Sequence, residues 1–157
     1  GQVTGAINYL ALGSHTIRSC RFFGNDSQSV GPGAVRFDPT SDLPTLLLEN
    51  SLITGNTSVS GPGAVSNDGP ASMQISNCTI AENHGGGTGG GVFLSSGDTT
   101  IFNTIIWGNT SAVSAGQDLS VWTNLLSSVL VYNSILENLG VGAPVPSGSG
   151  PGRPRRD

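Results

Sequence analysis

Apolar residues recur along this chain in short alternating runs, each closed by an asparagine, and the pattern returns every 26 to 31 residues. Five segments carry it: Ile17-Arg-Ser-Cys-Arg-Phe-Phe-Gly-Asn25, Leu48-Glu-Asn-Ser-Leu-Ile-Thr-Gly-Asn56, Ile75-Ser-Asn-Cys-Thr-Ile-Ala-Glu-Asn83, Ile101-Phe-Asn-Thr-Ile-Ile-Trp-Gly-Asn109 and Leu130-Val-Tyr-Asn-Ser-Ile-Leu-Glu-Asn138. A second series lies between them. Gly5-Ala-Ile7, Gly33-Ala-Val35, Gly63-Ala-Val65 and Gly90-Gly-Val92 recur at 28, 30 and 27 residues, and Gln117-Asp-Leu119 follows 27 later as a degenerate copy. A repeat of this length marks a stacked array, in which no single unit buries its apolar face alone.

The runs are short, rich in β-branched residues and separated by Gly, Pro, Asn or Asp, which predicts strands. Three strands per repeat and about five repeats make an all-β chain, a right-handed single-stranded parallel β-helix over residues 1–140. Alternation along a strand sends every second side chain inward. It predicts two inward apolar columns, Phe22, Ile53, Ile80, Ile106, Ile135 and Ile17, Leu48, Ile75, Ile101, Leu130. A small inward column, Cys20, Ser51, Cys78, Thr104, Asn133, runs beside them. Asn tolerates left-handed backbone, so Asn25, Asn56, Asn83, Asn109 and Asn138 are expected at one corner. Asn50, Asn77 and Asn103 are expected at another, with Ser19 and Tyr132 as departures. From residue 141 the pattern dissolves into Gly, Pro and Ser, and residues 141–157 read as a disordered, linker-like tail.

Charge is sparse. The chain has no Lys, and three of its six Arg stand in the last five residues. Residues 1–150 hold three Arg against nine acids, a formal charge of −6. That balance argues against nucleic acid or an anionic membrane as partner. No apolar stretch is long enough to span a bilayer. Cys20 and Cys78 share one position two repeats apart, roughly 9.6 Å at the usual strand spacing, beyond disulfide reach. Both are expected as small buried thiols. The chain opens partway through a repeat, so it is expected to continue into further rungs of a longer protein.

With both series in view, the chain resembles bacterial right-handed β-helix surface proteins of the pectate-lyase-like class. Phe22-Phe-Gly-Asn25 with Gly33-Ala-Val35 is similar to the repeats of polymorphic outer-membrane proteins. Asn103-Thr-Ile-Ile-Trp-Gly-Asn-Thr110, Gly116-Gln-Asp-Leu119 and Tyr132-Asn-Ser-Ile135 are similar to the closing rungs of choice-of-anchor β-helix proteins. The likeness covers about residues 2–138. It implies a structural or adhesive module of a secreted or cell-surface bacterial protein, with glycans or cell-surface proteins as partners. Polysaccharide lyases and hydrolases share the fold, so a carbohydrate-binding or carbohydrate-active fragment is the alternative.

The residues lean away from catalysis. Glu82 and Glu137 share a position two rungs apart, near the upper limit for an inverting carboxylate pair, but both flank a turn. Arg18 and Glu49 are expected as an exposed ion pair, and Arg36 among scattered acids. Asp38 and Asp42 fall short of a calcium shell. The glycine run at 85–91 lacks the Lys-Ser/Thr ending of a phosphate loop. His15 and His84 stand at no metal-ligand spacing, and no cofactor is implied. The outer face of the third strand offers more. Arg21, Leu52, Thr79, Ile105, Ser134 and Phe23, Thr54, Ala81, Trp107, Leu136 are expected outward, with Ile105 and Trp107 as carbohydrate- or partner-binding residues. The excursion at 111–127, containing Trp122, is the expected cover for that strip.

Overall fold

The computed structural model describes residues 5–10, 13–42, 44–113, 117–122 and 128–141. These wind into a parallel β-solenoid. The first turn is β1 (Ile7–Tyr9), β2 (His15–Arg18), β3 (Arg21–Phe23) and β4 (Asp26–Ser27); the second is β5 (Val35–Phe37), β6 (Thr45–Glu49), β7 (Leu52–Thr54) and β8 (Thr57–Ser58). The third is β9 (Val65–Asn67), β10 (Ser72–Ser76), β11 (Thr79–Ala81) and β12 (His84–Gly85). The fourth is β13 (Val92–Leu94), β14 (Thr99–Phe102), β15 (Ile105–Trp107) and β16 (Thr110–Ser111). A shorter passage follows, with β17 (Leu119–Val121), β18 (Val129–Tyr132), β19 (Ile135–Leu136) and β20 (Leu139–Val141). There are therefore about four full turns, where the repeat count predicted five, and four strands per turn instead of three. The extra strand is the two-residue piece just after each closing Asn. Like strands stack into four parallel sheets, of which the fourth stops at β16.

The interior is a set of aligned columns. Ile17, Leu48, Ile75 and Ile101 are buried in the second sheet, and Phe22, Ile53, Ile80 and Ile106 in the third. Val35, Val65, Val92 and Leu119 form the matching column of the first sheet. Tyr9 stacks on His15 at 4.1 Å where the interior opens at β1 and β2. The turns pack so closely that the glycine opening each Gly-Ala-Val unit has no room for a side chain. A Cβ on Gly63 would lie 2.2 Å from the carbonyl oxygen of Gly90, and one on Gly33 2.3 Å from that of Gly63.

The fifth repeat departs from its predicted register. Ile135 pairs with Ile105 and Leu136 with Ile106, so Leu136 takes the inward column and Ile135 is outward and 53% exposed. Likewise Val131 aligns with Ile101, and Leu130 with outward Thr100. The physical reason is length: Val131 to Asn138 has one residue fewer than Ile101 to Asn109, so alignment on the closing Asn slips every side chain before it to the opposite face. The same slip moves Asn133 from the small inward column to the corner, where its φ is 50° beside Ser19, Asn50, Asn77 and Asn103 at 48–55°. Tyr132 is no departure from that corner; it lies outward, stacked on Phe102 at 5.3 Å. Ser134 takes the inward small position, its Oγ accepting from the Thr104 amide at 3.1 Å. Cys78 in that column is buried, but Cys20 is exposed because β2 and β3 are edge strands.

The closing asparagines also do something other than predicted. The left-handed residue at that corner is the one before each: Gly24, Gly55, Glu82 and Gly108, with φ of 57–65°. Asn56, Asn83 and Asn109 turn inward and are sealed. Asn56 Oδ1 accepts from the amide and Nδ2 of Asn25. Asn83 Oδ1 accepts from the same two groups of Asn56, and Asn109 Oδ1 from those of Asn83. Each Nδ2 also reaches a backbone carbonyl of the turn before, Phe22 for Asn56 and Ile53 for Asn83. The series ends on Asp118. Its Oδ1 accepts from the amide and Nδ2 of Asn109 at 2.9 and 2.7 Å, and its Oδ2 from the amide of Asn138 at 3.0 Å. Asn138 itself is exposed and sits outside the ladder. Val141 belongs to β20, and the tail predicted beyond it lies outside the described residues.

Two predictions follow from burial and register. Asn83→Ala removes four buried hydrogen bonds and leaves the Asn56 amide without its acceptor, so it lowers unfolding free energy by about 3 kcal/mol in urea denaturation. Asn25→Ala, at the open end of the ladder, costs under about 1 kcal/mol. Ile106→Ala costs about 2–5 kcal/mol, whereas Ile135→Ser stays within about 0.5 kcal/mol of wild type in the same assay.

Candidate functional site

The outer face of the third sheet carries the strip anticipated from the sequence. Ile105 is exposed and Trp107 is 50% exposed. Leu52 and Phe23 are exposed on the earlier turns, and Ile135 extends the strip in place of the expected Ser134. Arg21 lies over the Phe23 ring at 4.8 Å. The expected cover is not provided by Trp122, which packs elsewhere; residues 114–116 and 123–127 of that excursion lie outside the described residues.

The outer face of the first sheet is different, because it is overhung. Phe93, Ser66 and Ser120 point outward from β13, β9 and β17 yet are buried. The loops after the fourth strands fold over them. Small hydroxyls inside the fourth sheet fix those loops. Ser58 Oγ donates to the Gly31 carbonyl of the preceding turn and accepts from the Gly61 amide, both at 2.8 Å. Ser111 Oγ donates to the Gly87 carbonyl at 2.6 Å. Trp122 is held by its amide, which donates to the Leu94 carbonyl at 2.8 Å, and its ring meets Phe93 edge-on at 4.9 Å. Between loops and sheet runs a groove of about 400 Å3, with Val30, Pro62 and Thr88 on the loop side and Arg36, Asp68, Phe93 and Trp122 on the sheet side.

The charged wall of this groove corrects the reading of Arg36 as lying among scattered acids. Phe37 and Asn67 are paired in register, so Asp38 and Asp68 occupy the same position on adjacent turns. Arg36 reaches both, with Nη2 to Asp38 at 2.8 Å and Nε to Asp68 at 2.9 Å. Its side chain is 12% exposed. The Ser66 hydroxyl donates to the same Asp68 oxygen at 3.0 Å. Burial raises Asp38 above the ordinary aspartate pKa, Arg36 pulls it down, and Asp68 pushes it up again. The sequence hid this group because Arg36, Asp68, Phe93 and Trp122 meet only through the strand register. An outward Arg with acids two and 32 residues later was the available signal.

The other residues weighed from the sequence are placed plainly. Glu82 and Glu137 are exposed and neither lines the groove; a Glu137 carboxylate oxygen accepts from the Gly108 amide at 3.3 Å. Arg18 and Glu49 form the expected pair at 2.8 Å. Among the described residues no three His, Cys, Asp or Glu gather as a metal site. Burial pushes the Cys78 thiol up, away from reactive thiolate. Asn56 and Asn109, two of the four Asn-x-Ser/Thr sequons, are sealed in the ladder.

A family model described as a right handed beta helix region matches residues 5–151. No curated protein and no solved structure matches the chain.

Arg36 is the cation that Asp38 and Asp68 share. Arg36→Met leaves two neighbouring carboxylates without their shared cation and is expected to cost about 1–3 kcal/mol at neutral pH, discounted for their partial exposure. Burial holds Asp38 above the ordinary aspartate pKa, so folding favours its protonation. Its contribution is therefore greatest below the ordinary aspartate pKa and falls as pH rises through its own. Without Arg36 that pKa climbs further. Denaturation at about pH 4 and pH 7 should show a smaller loss at the lower value.

Proposed function

We propose that this chain, which belongs to the right-handed β-helix family, is a non-catalytic adhesive module that binds saccharide chains in the groove on its first sheet. The observation that carries the reading is the overhung, aromatic-lined groove itself. It is open, about 400 Å3 in volume, and bordered by Phe93 on β13 and by Trp122 just after β17. Sugar rings present apolar faces to aromatic side chains and hydroxyls to polar rims, and a preformed site of this kind suits them. Asp68 on its wall is engaged with Arg36, which also binds the neighbouring Asp38, an arrangement that holds the wall in shape and offers no pair of free carboxylates for bond cleavage. A secreted or bacterial cell-surface setting goes with such a module, through the resemblance of its repeats.

A second reading rests on the strip of the third sheet. Ile105 and Ile135 are register neighbours, Trp107 stands two residues along on the same outward face, and Leu52 continues the column beyond Thr79; all four apolar residues are exposed, which suits a contact surface for a glycan or a cell-surface protein.

Binding of the purified chain to an array of bacterial and plant polysaccharides tests both. Retained binding by Trp107→Ala with a loss of about tenfold or more in Trp122→Ala places the ligand in the groove. The reverse pattern places it on the strip. Binding to nothing on the array, or release of shorter fragments from a bound chain, sinks the non-catalytic saccharide reading.

A further inference from the structure

We propose that the groove selects saccharides bearing amino groups and turns away polyuronates, an inference that rests on its being a saccharide site. Two walls point to this independently. On one, Arg36 and Asp68 line the groove and meet at 2.9 Å, and Arg36 also binds the neighbouring Asp38 at 2.8 Å, so the cluster formally holds two acids to one base. Val30, Thr88, Phe93 and Trp122 around it are uncharged. A uronate carboxylate arriving here meets a guanidinium already engaged by two of its own kind, within a body of formal charge −6 over residues 1–150. A sugar ammonium instead meets the carboxylate of Asp68.

The second wall is aromatic. Phe93 and Trp122 meet edge-on, 4.9 Å between centroids, and Trp122 is half-buried. An indole face attracts a cation through its quadrupole, and more strongly where water is partly excluded. Carboxylate and aromatic surface bordering one cavity together favour an ammonium group over an N-acetyl group, and an N-acetyl group over a carboxylate. The loop-side hydroxyl of Thr88 adds a neutral hydrogen-bonding rim that serves any sugar.

Titration calorimetry of the full chain at about pH 6, where amines of ordinary basicity and uronic acids are both charged, tests the order. The probes are tetrasaccharides of glucosamine, of N-acetylglucosamine and of galacturonic acid. The glucosamine chain is expected to bind about tenfold tighter than the N-acetylated one, and the galacturonic acid chain not measurably. Asp68→Asn should abolish that preference while keeping the N-acetylated affinity; Asp38→Asn is the substitute if its melting profile shows that it does not fold. Glu82→Gln, outside the groove, should leave the preference intact. Equal or tighter binding of the N-acetylated or galacturonic acid chain overturns the amino-sugar selection and leaves the saccharide site standing, provided that Trp122→Ala still weakens it. A preference that survives both Asp substitutions also overturns it, since attraction by overall charge would then suffice. Binding of none of the three overturns the selection and counts against the saccharide site as well.

Discussion

Parallel strand-to-strand hydrogen bonding sets the turns about 4.8 Å apart, and nearly every other property of this chain follows from that spacing. At such a distance a side chain inside one turn has its counterparts in the adjacent turns as nearest neighbours. Apolar groups stack on apolar groups without penalty. A polar group is tolerated only if the same group above and below can satisfy it, and an amide can, because it donates on one side and accepts on the other. The buried asparagine series is this solution, and it places strong directional bonds across a part of the molecule that has no apolar core of its own. The glycines that open each first strand answer the same spacing with space alone, since the next turn's carbonyl occupies the volume of a side chain.

Because the interior is consumed by this repetition, chemical individuality is confined to the outside. The four sheets differ there. The second and third present pairs in register, such as Arg18 with Glu49, Phe102 with Tyr132, or the apolar strip through Trp107. The first is roofed by loops, and its outward residues are therefore held in partial shelter, where a charge or an aromatic ring counts for more than on an open face. The residues that break the repeat most, Arg36, Asp68, Phe93 and Trp122, are gathered at that shelter.

Most of the scaffold was legible in the order of residues. The parallel solenoid, the inward columns of the first four turns and the corner at Asn50, Asn77 and Asn103 all follow from period and alternation. The fourth strand of each turn, the turn count and the exposure of Cys20 were not, and neither were three further features. The fifth repeat lacks one residue, and counting back from its Asn assigns Ile135 and Leu136 to the wrong faces. The closing asparagines match a left-handed corner by composition as well as they match a buried ladder, and the glycine or glutamate before them takes that strain instead. The groove has no motif, because its members are brought together across turns by register and not by proximity along the chain.

Asp118 gives the ladder a direction. Asn56, Asn83 and Asn109 each pass a hydrogen on and receive one, whereas the Asp118 carboxylate accepts from both Asn109 and Asn138. A turn duplicated anywhere before Asp118 would find donor and acceptor waiting and lengthen the series without conflict. Beyond it the coil goes on, since β20 pairs with β17 and the Asn138 amide reaches the second oxygen of the same carboxylate, so Asp118 turns a series of side-chain amides into a junction between side chain and backbone.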